Sequence, residues 1–282
     1  MNVSALPHTP ARPPRLVAIP QLMAGGRWRV EAMRSLSEPV LLWFTKGQGR
    51  ITLAGHTRGF TASNAVFIPA GIMHGFDANS SVFGQALFFG DDHGLVLPKQ
   101  SQHLRIRESF AAQELNLNLE AMQREIEGDK PGHLRAAAHY MGLVSVWLER
   151  QSDKASNLGA HEYSATAAKR LVARYLTLLE RGFRSNMGVS DYAAALGITP
   201  THLTRCCQIT AGRSALSFLH DRRIFEARQM LLGTSLPVSR IAQHLGFASL
   251  AYFSRCFQHH TGESPSDFRK TALCLQTPRI PL

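Results

Sequence analysis

Two stretches in the C-terminal part of the chain repeat one pattern, and this repeat limits the possible folds more than any other feature. The first copy covers residues 189–214 and the second covers residues 238–264. Five residues recur 49 positions later, namely Val189, Ser190, Ala193, Leu196 and Gly197. Four others recur 50 positions later, namely Arg205, Cys206, Gln208 and Gly212. The second copy has therefore gained one residue in its turn.

Each copy has the local signals of two short helices joined by a tight turn. Ser190 is a candidate N-cap for the first helix, and Gly197 allows the left-handed backbone that ends it. Thr199 and Pro200 then suit the N-cap and the first position of a second helix. This pattern predicts a helix-turn-helix, whose second helix enters the DNA major groove. A simple helical hairpin is the alternative, and the repetition on a chain of net charge +11 favours DNA.

The repeat resembles the DNA-binding domain of AraC/XylS-type transcription regulators, which carries two helix-turn-helix units joined by a central helix. The resemblance covers residues 168–270 and is most specific over residues 241–270. The matching positions are Ile241, Ala242, Gly246, Phe247, Tyr252, Phe253, Arg255, Phe257, Gly262, Pro265 and Arg269. It implies an all-α double helix-turn-helix domain over residues 163–272, followed by a tail over residues 273–282.

The resemblance also implies which side chains face DNA. The base-facing positions of the first unit, with the preceding N-cap, are Thr199, Thr201, His202, Thr204 and Arg205. Those of the second unit are Ser249, Leu250, Ala251, Ser254 and Arg255. Arginine can bond guanine bidentately, whereas leucine and alanine offer only apolar contact, for example to a thymine methyl. We therefore expect the first unit to supply most of the hydrogen-bonded readout.

The predicted central helix spans residues 215–232 and is a rigid spacer that holds the two reading helices about one DNA turn, roughly 34 Å, apart. Arg222, Arg223 and Arg228 are expected on its surface, either solvated or in contact with phosphates.

The positive charge is concentrated in the C-terminal part of the chain. Residues 161–282 hold 15 Lys and Arg against 7 Asp and Glu, a net charge of +8, whereas residues 1–160 have a net charge of +3. This basic excess supports nucleic-acid affinity without identifying the nucleic acid.

The first hundred residues instead show short strand-like runs at residues 39–47, 50–62 and 64–71, which predict an antiparallel barrel or sandwich. Pro69, Gly71 and His74 have the spacing of the second cupin motif, and residues 15–95 resemble a cupin-like jelly roll. With helices after about residue 108, this gives a predicted effector-binding and dimerisation domain over residues 15–150. Trp43 and Phe44 point to opposite faces of one strand, and one of them should line an effector pocket. His74 is either a pocket residue or a core histidine.

The earlier cupin segment contains no His-x-His pair and no acid, so we expect no metal, no cofactor and no catalytic residue.

A helical region is expected after the strands. Residues with 3-4-3-4 spacing predict its first helix, namely Leu115, Leu119, Met122 and Ile126. A second helix is expected over residues 131–150. This stripe either packs against the barrel or forms a dimer contact. A flexible N-terminus over residues 1–14 and a linker over residues 151–162 complete the predicted domain organisation.

The sequence therefore predicts a two-domain α+β protein that acts as a sequence-specific, DNA-binding transcription regulator under effector control. Its expected partners are a double-stranded DNA operator, an unknown small-molecule effector, a second copy of the chain and, for an activator, RNA polymerase. No run approaches the length of a membrane span, and we expect a cytoplasmic protein. A cupin enzyme fused to a DNA-binding module and a ligand-independent DNA-binding regulator are the alternatives.

Overall fold

The computed structural model describes residues 13–77, 81–90, 94–157 and 166–276. Parts of three expected segments lie outside these ranges: most of the N-terminus, the second half of the linker and the end of the tail. Described residues up to Arg105 form mainly strands, and those from Ser109 onward form helices. No helix in the described ranges combines the length and the apolar character needed to cross a bilayer.

The N-terminal part is an antiparallel sandwich of two sheets. Its strands are β1 (Arg15–Ala18), β2 (Val40–Lys46), β3 (Gln48–Leu53), β4 (His56–Thr61), β5 (Asn64–Ile68), β6 (His74–Asp77), β7 (Phe83–Phe88) and β8 (Gln102–Arg105). Two single-turn helices, α1 (Ile19–Leu22) and α2 (Trp28–Glu31), follow β1. The sheet orders are β1-β7-β2-β5-β8 and β4-β3-β6. In the described ranges the strands thus pair as an open sandwich and do not close into a barrel.

Aromatic side chains fill the space between the two sheets. The Phe44 and Phe60 rings are stacked with their centroids 3.9 Å apart, and Phe76 meets Phe44 edge-on at 5.9 Å. All three rings are fully buried. Each contributes on the order of 2 kcal/mol through burial of apolar surface. The predicted pocket position of Phe44 is therefore part of the packed interior.

The outer face of the larger sheet is covered by helices α3 (Ser109–Glu127) and α4 (His133–Asn157). Alternation along β2 turns Trp43 to this outer face, where its indole nitrogen donates a 2.7 Å hydrogen bond to Asn116. Leu115, Leu119 and Met122 are buried in the same cluster. The apolar stripe on α3 therefore packs against the protein's own sheet, and the expectation that it forms a dimer contact is wrong.

Helix α4 continues into the segment expected to be a linker. The predicted linker begins at residue 151, whereas the helix ends at Asn157. Residues 151–157 contain no glycine or proline, so nothing in the backbone stops the helix there. The hydroxyl of Ser152 donates to the carbonyl of Leu148, and Lys154 forms a 2.8 Å ion pair with Glu108 of the residues preceding α3.

Between residues 166 and 276 the regular structure is all helical, as predicted. Its helices are α5 (Ala167–Gly182), α6 (Val189–Ala195), α7 (Pro200–Ala211), α8 (Ala215–Gly233), α9 (Val238–His244), α10 (Leu250–Thr261) and α11 (Pro265–Gln276). Helices α6 and α7 form one helix-turn-helix, α9 and α10 form the other, and α8 joins them. Helix α11 extends four residues into the segment expected to be a tail.

The two second helices have the caps that the sequence predicts. The hydroxyl of Thr199 accepts a hydrogen bond from the His202 amide at 3.2 Å, and that of Ser249 accepts one from the Tyr252 amide at 3.1 Å. The expected Ser190 cap of α6 is wrong, because α6 starts two residues earlier, with Gly188 as its N-cap. The Asp191 carboxylate accepts from the Gly188 amide at 2.8 Å instead.

The sandwich packs directly on the helical part at two places. At the first, the Trp28 ring lies edge-on to Phe225 at 5.7 Å and to Phe268 at 6.2 Å, with the Arg228 guanidinium over its face. At the second, the strand β4 meets the C-terminal end of α7, where the His56 Nδ1 lies 3.3 Å from the Thr210 carbonyl oxygen. Neither contact was anticipated from the sequence.

The glycines that end α6 and α9 provide a matched test of the packing inside the helical part. Gly197 and Gly246 both have left-handed φ values, +71° and +69°. A Cβ on Gly197 would meet no described atom within 4 Å, whereas a Cβ on Gly246 would lie 1.8 Å from the Ser185 carbonyl oxygen. We expect Gly197→Ala to cost about 1 kcal/mol of unfolding free energy and Gly246→Ala about 3 kcal/mol or more. Urea unfolding of both variants checks this, and equal losses would contradict the close approach at Gly246.

Candidate nucleic-acid interface

Helix α7 presents one polar face to solvent. Thr201, His202 and Arg205 are exposed and Thr204 is half-buried. Leu203 and two cysteines, Cys206 and Cys207, point into the domain core. Since residues three and four apart share a helix face, the outward side chains of the first turns form one continuous polar surface. This is the geometry that a groove-reading helix requires.

Helix α10 has the same arrangement with different chemistry. Leu250, Ala251 and Arg255 are exposed, Ser254 is half-buried, and Phe253 packs inward. The structure thus brings all eight predicted base-facing positions to the surface, four on each second helix. Their contacts with bases stay a prediction.

The exposed side of α10 is less polar than that of α7. Leu250 exposes 46% of its surface although it is a large apolar residue, and Ala251 beside it has no polar atom in its side chain. The neighbouring Tyr252 is partly exposed, with its hydroxyl 3.0 Å from the His220 Nε2 of α8. Arg255 is therefore the main hydrogen-bond donor among the predicted contacts on this helix.

Arg222 does not lie on the surface of the central helix as the sequence analysis expected. Its guanidinium is buried and forms two hydrogen bonds, at 2.9 and 3.1 Å, with the Glu180 carboxylate of α5. It also bonds Glu226 at 2.9 Å and stacks on the Phe183 ring at 3.8 Å. Against the opposing effect of burial, hydrogen bonding from Arg184 and the charge of Arg222 lower the pKa of Glu226, which keeps the Glu226 carboxylate ionised at neutral pH.

Arg223 and Arg228 are also buried, and each binds the end of another helix. Arg223 donates to the carbonyl oxygens of Phe183, Ser185 and Met187 at 2.7 to 3.0 Å, just beyond α5. Arg228 donates to the His260 carbonyl oxygen near the end of α10 at 3.1 Å. The Phe183, Ser185 and Met187 carbonyls lie between α5 and α6, and the His260 carbonyl lies in the last turn of α10, so the arginines supply donors where no helical amide follows. The expected surface position of the three α8 arginines is therefore wrong, since their guanidinium groups are used inside the domain.

The residues expected to line an effector pocket do not meet in one cavity. Trp43 and Phe44 lie on opposite sides of β2, and His74 is buried beside Arg34. The Nδ1 of His74 lies 2.9 Å from the Ile72 carbonyl oxygen. Burial and the nearby Arg34 charge lower the pKa of His74 to about 3, which keeps its imidazole neutral. Its surroundings correspond to the core-histidine alternative.

The contact residue Trp28 was missed by the sequence analysis. It follows Gly25 and Gly26 in a segment without strand or helix periodicity, so no local signal indicated a packing role. The only hint was its size, because a tryptophan in a polar, glycine-containing stretch usually has a partner elsewhere.

Comparisons with known proteins agree with this geometry. A family model described as a helix-turn-helix domain matches residues 192–271. The arabinose operon regulatory protein of Escherichia coli (strain K12) is 35% identical over 85 residues, which cover 30% of this chain and 29% of that protein. The HTH-type transcriptional activator RhaS of Escherichia coli O157:H7 is 28% identical over 168 residues, covering 60% of this chain and 57% of that protein.

Among solved structures, the C-terminal domain of AraT, a response regulator from Geobacillus stearothermophilus, is 28% identical, with a TM-score of 0.36. The match covers 38% of this chain and 88% of the AraT domain. The matched segment spans less than a third of the arabinose operon regulatory protein, and the family model lies wholly within the C-terminal domain. The repeated motif, its two exposed second helices and the sequence matches together show that the chain carries an AraC-type helix-turn-helix domain.

Proposed function

We propose that the protein is a sequence-specific DNA-binding transcription regulator. The observation that carries this proposal is the pair of exposed second helices, α7 and α10, held on a domain with a clear excess of basic residues. One helix-turn-helix is a common structural hairpin, whereas two units with the same exposed face have a direct use in two successive major-groove segments. We place the protein with the DNA, in the cytoplasm.

The length of the connecting helix supports simultaneous docking of both units. Helix α8 has 19 residues, which corresponds to a length of about 28 Å at 1.5 Å per residue. Together with the flanking turns this approaches the roughly 34 Å between successive major-groove segments on one face of B-DNA. The buried arginine contacts of α8 keep this spacing fixed.

Selection of bound oligonucleotides from random DNA tests the proposal. We expect an enriched motif with two parts about 10 base pairs apart, because each second helix reads one major-groove segment. Binding should persist in the presence of heparin, which competes only for the sequence-independent electrostatic component. A selection that yields no enriched motif, or binding that heparin abolishes for every DNA sequence alike, would remove the proposed function.

Within that motif we expect unequal readout by the two units. The first unit offers His202, Thr201 and Arg205, whereas the second offers Leu250 and Ala251 beside Arg255. Arg205→Ala should therefore weaken binding by about 10- to 100-fold and relax discrimination at one base position. Leu250→Ala should lose only discrimination at a thymine, which a deoxyuridine substitution in the DNA reproduces.

Arg124→Ala is the matched control, because Arg124 is an exposed arginine on α3 of the sandwich domain. Its loss removes one charge without touching either unit. Base-substitution profiles by fluorescence anisotropy distinguish the cases. Equal discrimination by hydrogen-bond type in both parts of the motif would contradict the unequal readout.

We further propose that the sandwich is a cupin-like effector domain that controls how the helical domain is presented to DNA. The direct packing of Trp28 on Phe225 and Phe268 supports this, since a ligand-induced change in the sandwich has a physical route to the helices. A ligand-independent regulator is the second candidate, and it differs in showing no response of DNA affinity to any metabolite. For an activator, RNA polymerase is a further partner.

We also propose that the protein is a homodimer, through a different surface from that expected in the sequence. Ion pairs Glu114–Arg150 and Glu108–Lys154 show that α3 and α4 run antiparallel. This places exposed Leu117 of α3 level with exposed residues of α4, namely Leu143 and Val146. Three large apolar side chains on adjacent helices form a patch of the kind that subunit contacts cover.

The double variant Leu117→Glu with Leu143→Glu should convert a dimer to a monomer, because four carboxylates would be buried in a two-fold contact. Sedimentation equilibrium at about 10 μM measures the mass, a concentration at which a dimer of micromolar or tighter affinity is populated. Ile209→Glu is the control, since Ile209 is 67% exposed on α7 of the helical domain, away from α3 and α4. A double variant that keeps the dimer mass, or a wild-type protein that is monomeric, contradicts the proposed contact.

A further inference from the structure

A cavity of about 620 Å³ opens where one edge of the sandwich meets the helical domain. Strands β4, β5 and β8 form its floor and the first turn of α5 its far side. The lining residues are His56, Arg58, Gly59, Asn64, His103, Arg105 and Lys169. Its volume lies within the range of small-molecule sites.

The strand pattern explains why polar side chains converge here. On β4, Arg58 lies two residues before the buried Phe60. The two side chains therefore share a face of the strand and point between the sheets. On β8, Leu104 packs toward the helices, which turns His103 and Arg105 to the opposite side. The interior is closed by aromatic rings further along β4, and the cavity is the remaining open end of the same inter-sheet space.

The lining is rich in positive charge. Arg58, Arg105 and Lys169 are cations, and no acidic residue is among the described residues that line the cavity. Burial and the charges of Lys169 and Arg58 lower the pKa of His56, and burial and Arg58 lower that of His103 to about 4. The neutral His103 Nε2 lies 2.8 Å from the Asn64 side-chain oxygen. The cavity therefore repels additional positive charge and favours a bound anion.

We propose that this cavity binds a small metabolite with two or more carboxylate or phosphate groups, held jointly by Arg58 and Arg105 of the sandwich and Lys169 of the helical domain. Arginine offers the forked donor geometry that both anion types accept, and lysine adds a mobile point charge. The inference rests on the proposed function in one respect: it names the effector class of the proposed regulator.

The position of Lys169 gives the ligand a route to the DNA-reading helix. Lys169 lies in the first turn of α5, whose buried side chains Val172 and Leu176 belong to the core of the helical domain together with Leu203 of α7. An anion that contacts both sides of the cavity adds a link between the sandwich and this core. Its occupancy therefore changes the relative stability of the domain arrangements.

Isothermal titration of the full chain without DNA tests the site. Citrate and inorganic pyrophosphate are the probes, and their comparison distinguishes carboxylate from phosphate ligands, with glycerol as the neutral control. We expect saturable binding of at least one anion with a dissociation constant below about 1 mM. No saturation by either anion up to about 10 mM overturns the proposal.

Substitutions then locate the bound anion. Arg58→Gln, Arg105→Gln and Lys169→Gln should each weaken binding by about tenfold or more, because each removes a charge-assisted hydrogen bond. Arg174→Gln, an exposed arginine on the same helix as Lys169, and Arg205→Gln on α7 should leave affinity within about twofold. Equal losses in all five variants indicate general charge attraction, and a loss confined to Arg205→Gln indicates the DNA face. Either result overturns the site.

The test separates this inference from the proposed function. Anion binding at the cavity without any selected DNA motif removes the regulator and leaves the site. A selected DNA motif together with the absence of anion binding removes the site and leaves the regulator. If the protein both binds the anion at the cavity and selects a DNA motif, the anion should change DNA affinity in the wild type. Lys169→Gln should then abolish that change.

Discussion

The hydrogen bonds of three buried arginines on α8 hold the helical domain together. Arg222 joins α8 to the Glu180 carboxylate of α5, Arg223 caps the chain after α5, and Arg228 caps the end of α10. Removing one guanidinium leaves buried carbonyls or a carboxylate without a partner, at a cost of about 1 to 3 kcal/mol for each such group. The spacing of the two exposed second helices, and with it the use of both units on one DNA face, depends on these bonds.

The sequence predicts those parts of the fold that local chemistry determines. Turn glycines and capping hydroxyls act within four residues, so the two helix-turn-helix units, and the Thr199 and Ser249 caps, could be located from the sequence. The outward face of α7 follows from helical periodicity in the same way. Strand alternation likewise placed Trp43 and Phe44 on opposite faces of β2. The cap error at Ser190 shifts the start of α6 by two residues.

Features that depend on distant partners could not be predicted from the sequence. The stripe with Leu119 and Met122 has a spacing suited to a subunit contact or to the chain's own sheet, and only the three-dimensional arrangement decides between them. The α8 arginines have the composition of a solvated face because their partners, apart from Glu226, lie more than 30 residues away. Trp28 and the basic cavity combine residues from segments that no periodicity connects.

The contact between β4 and α7 lies at the opposite end of that helix from the residues that face DNA. The His56 ring and the Thr57 hydroxyl meet the Thr210 and Ala211 carbonyl oxygens, whereas Thr201 lies about 15 Å away along the axis. A movement of the sandwich at this contact would therefore tilt α7 and displace its N-terminal end most. A tilt of about 5° at that end would displace the tip by roughly 1.3 Å, enough to break a hydrogen bond to a base edge.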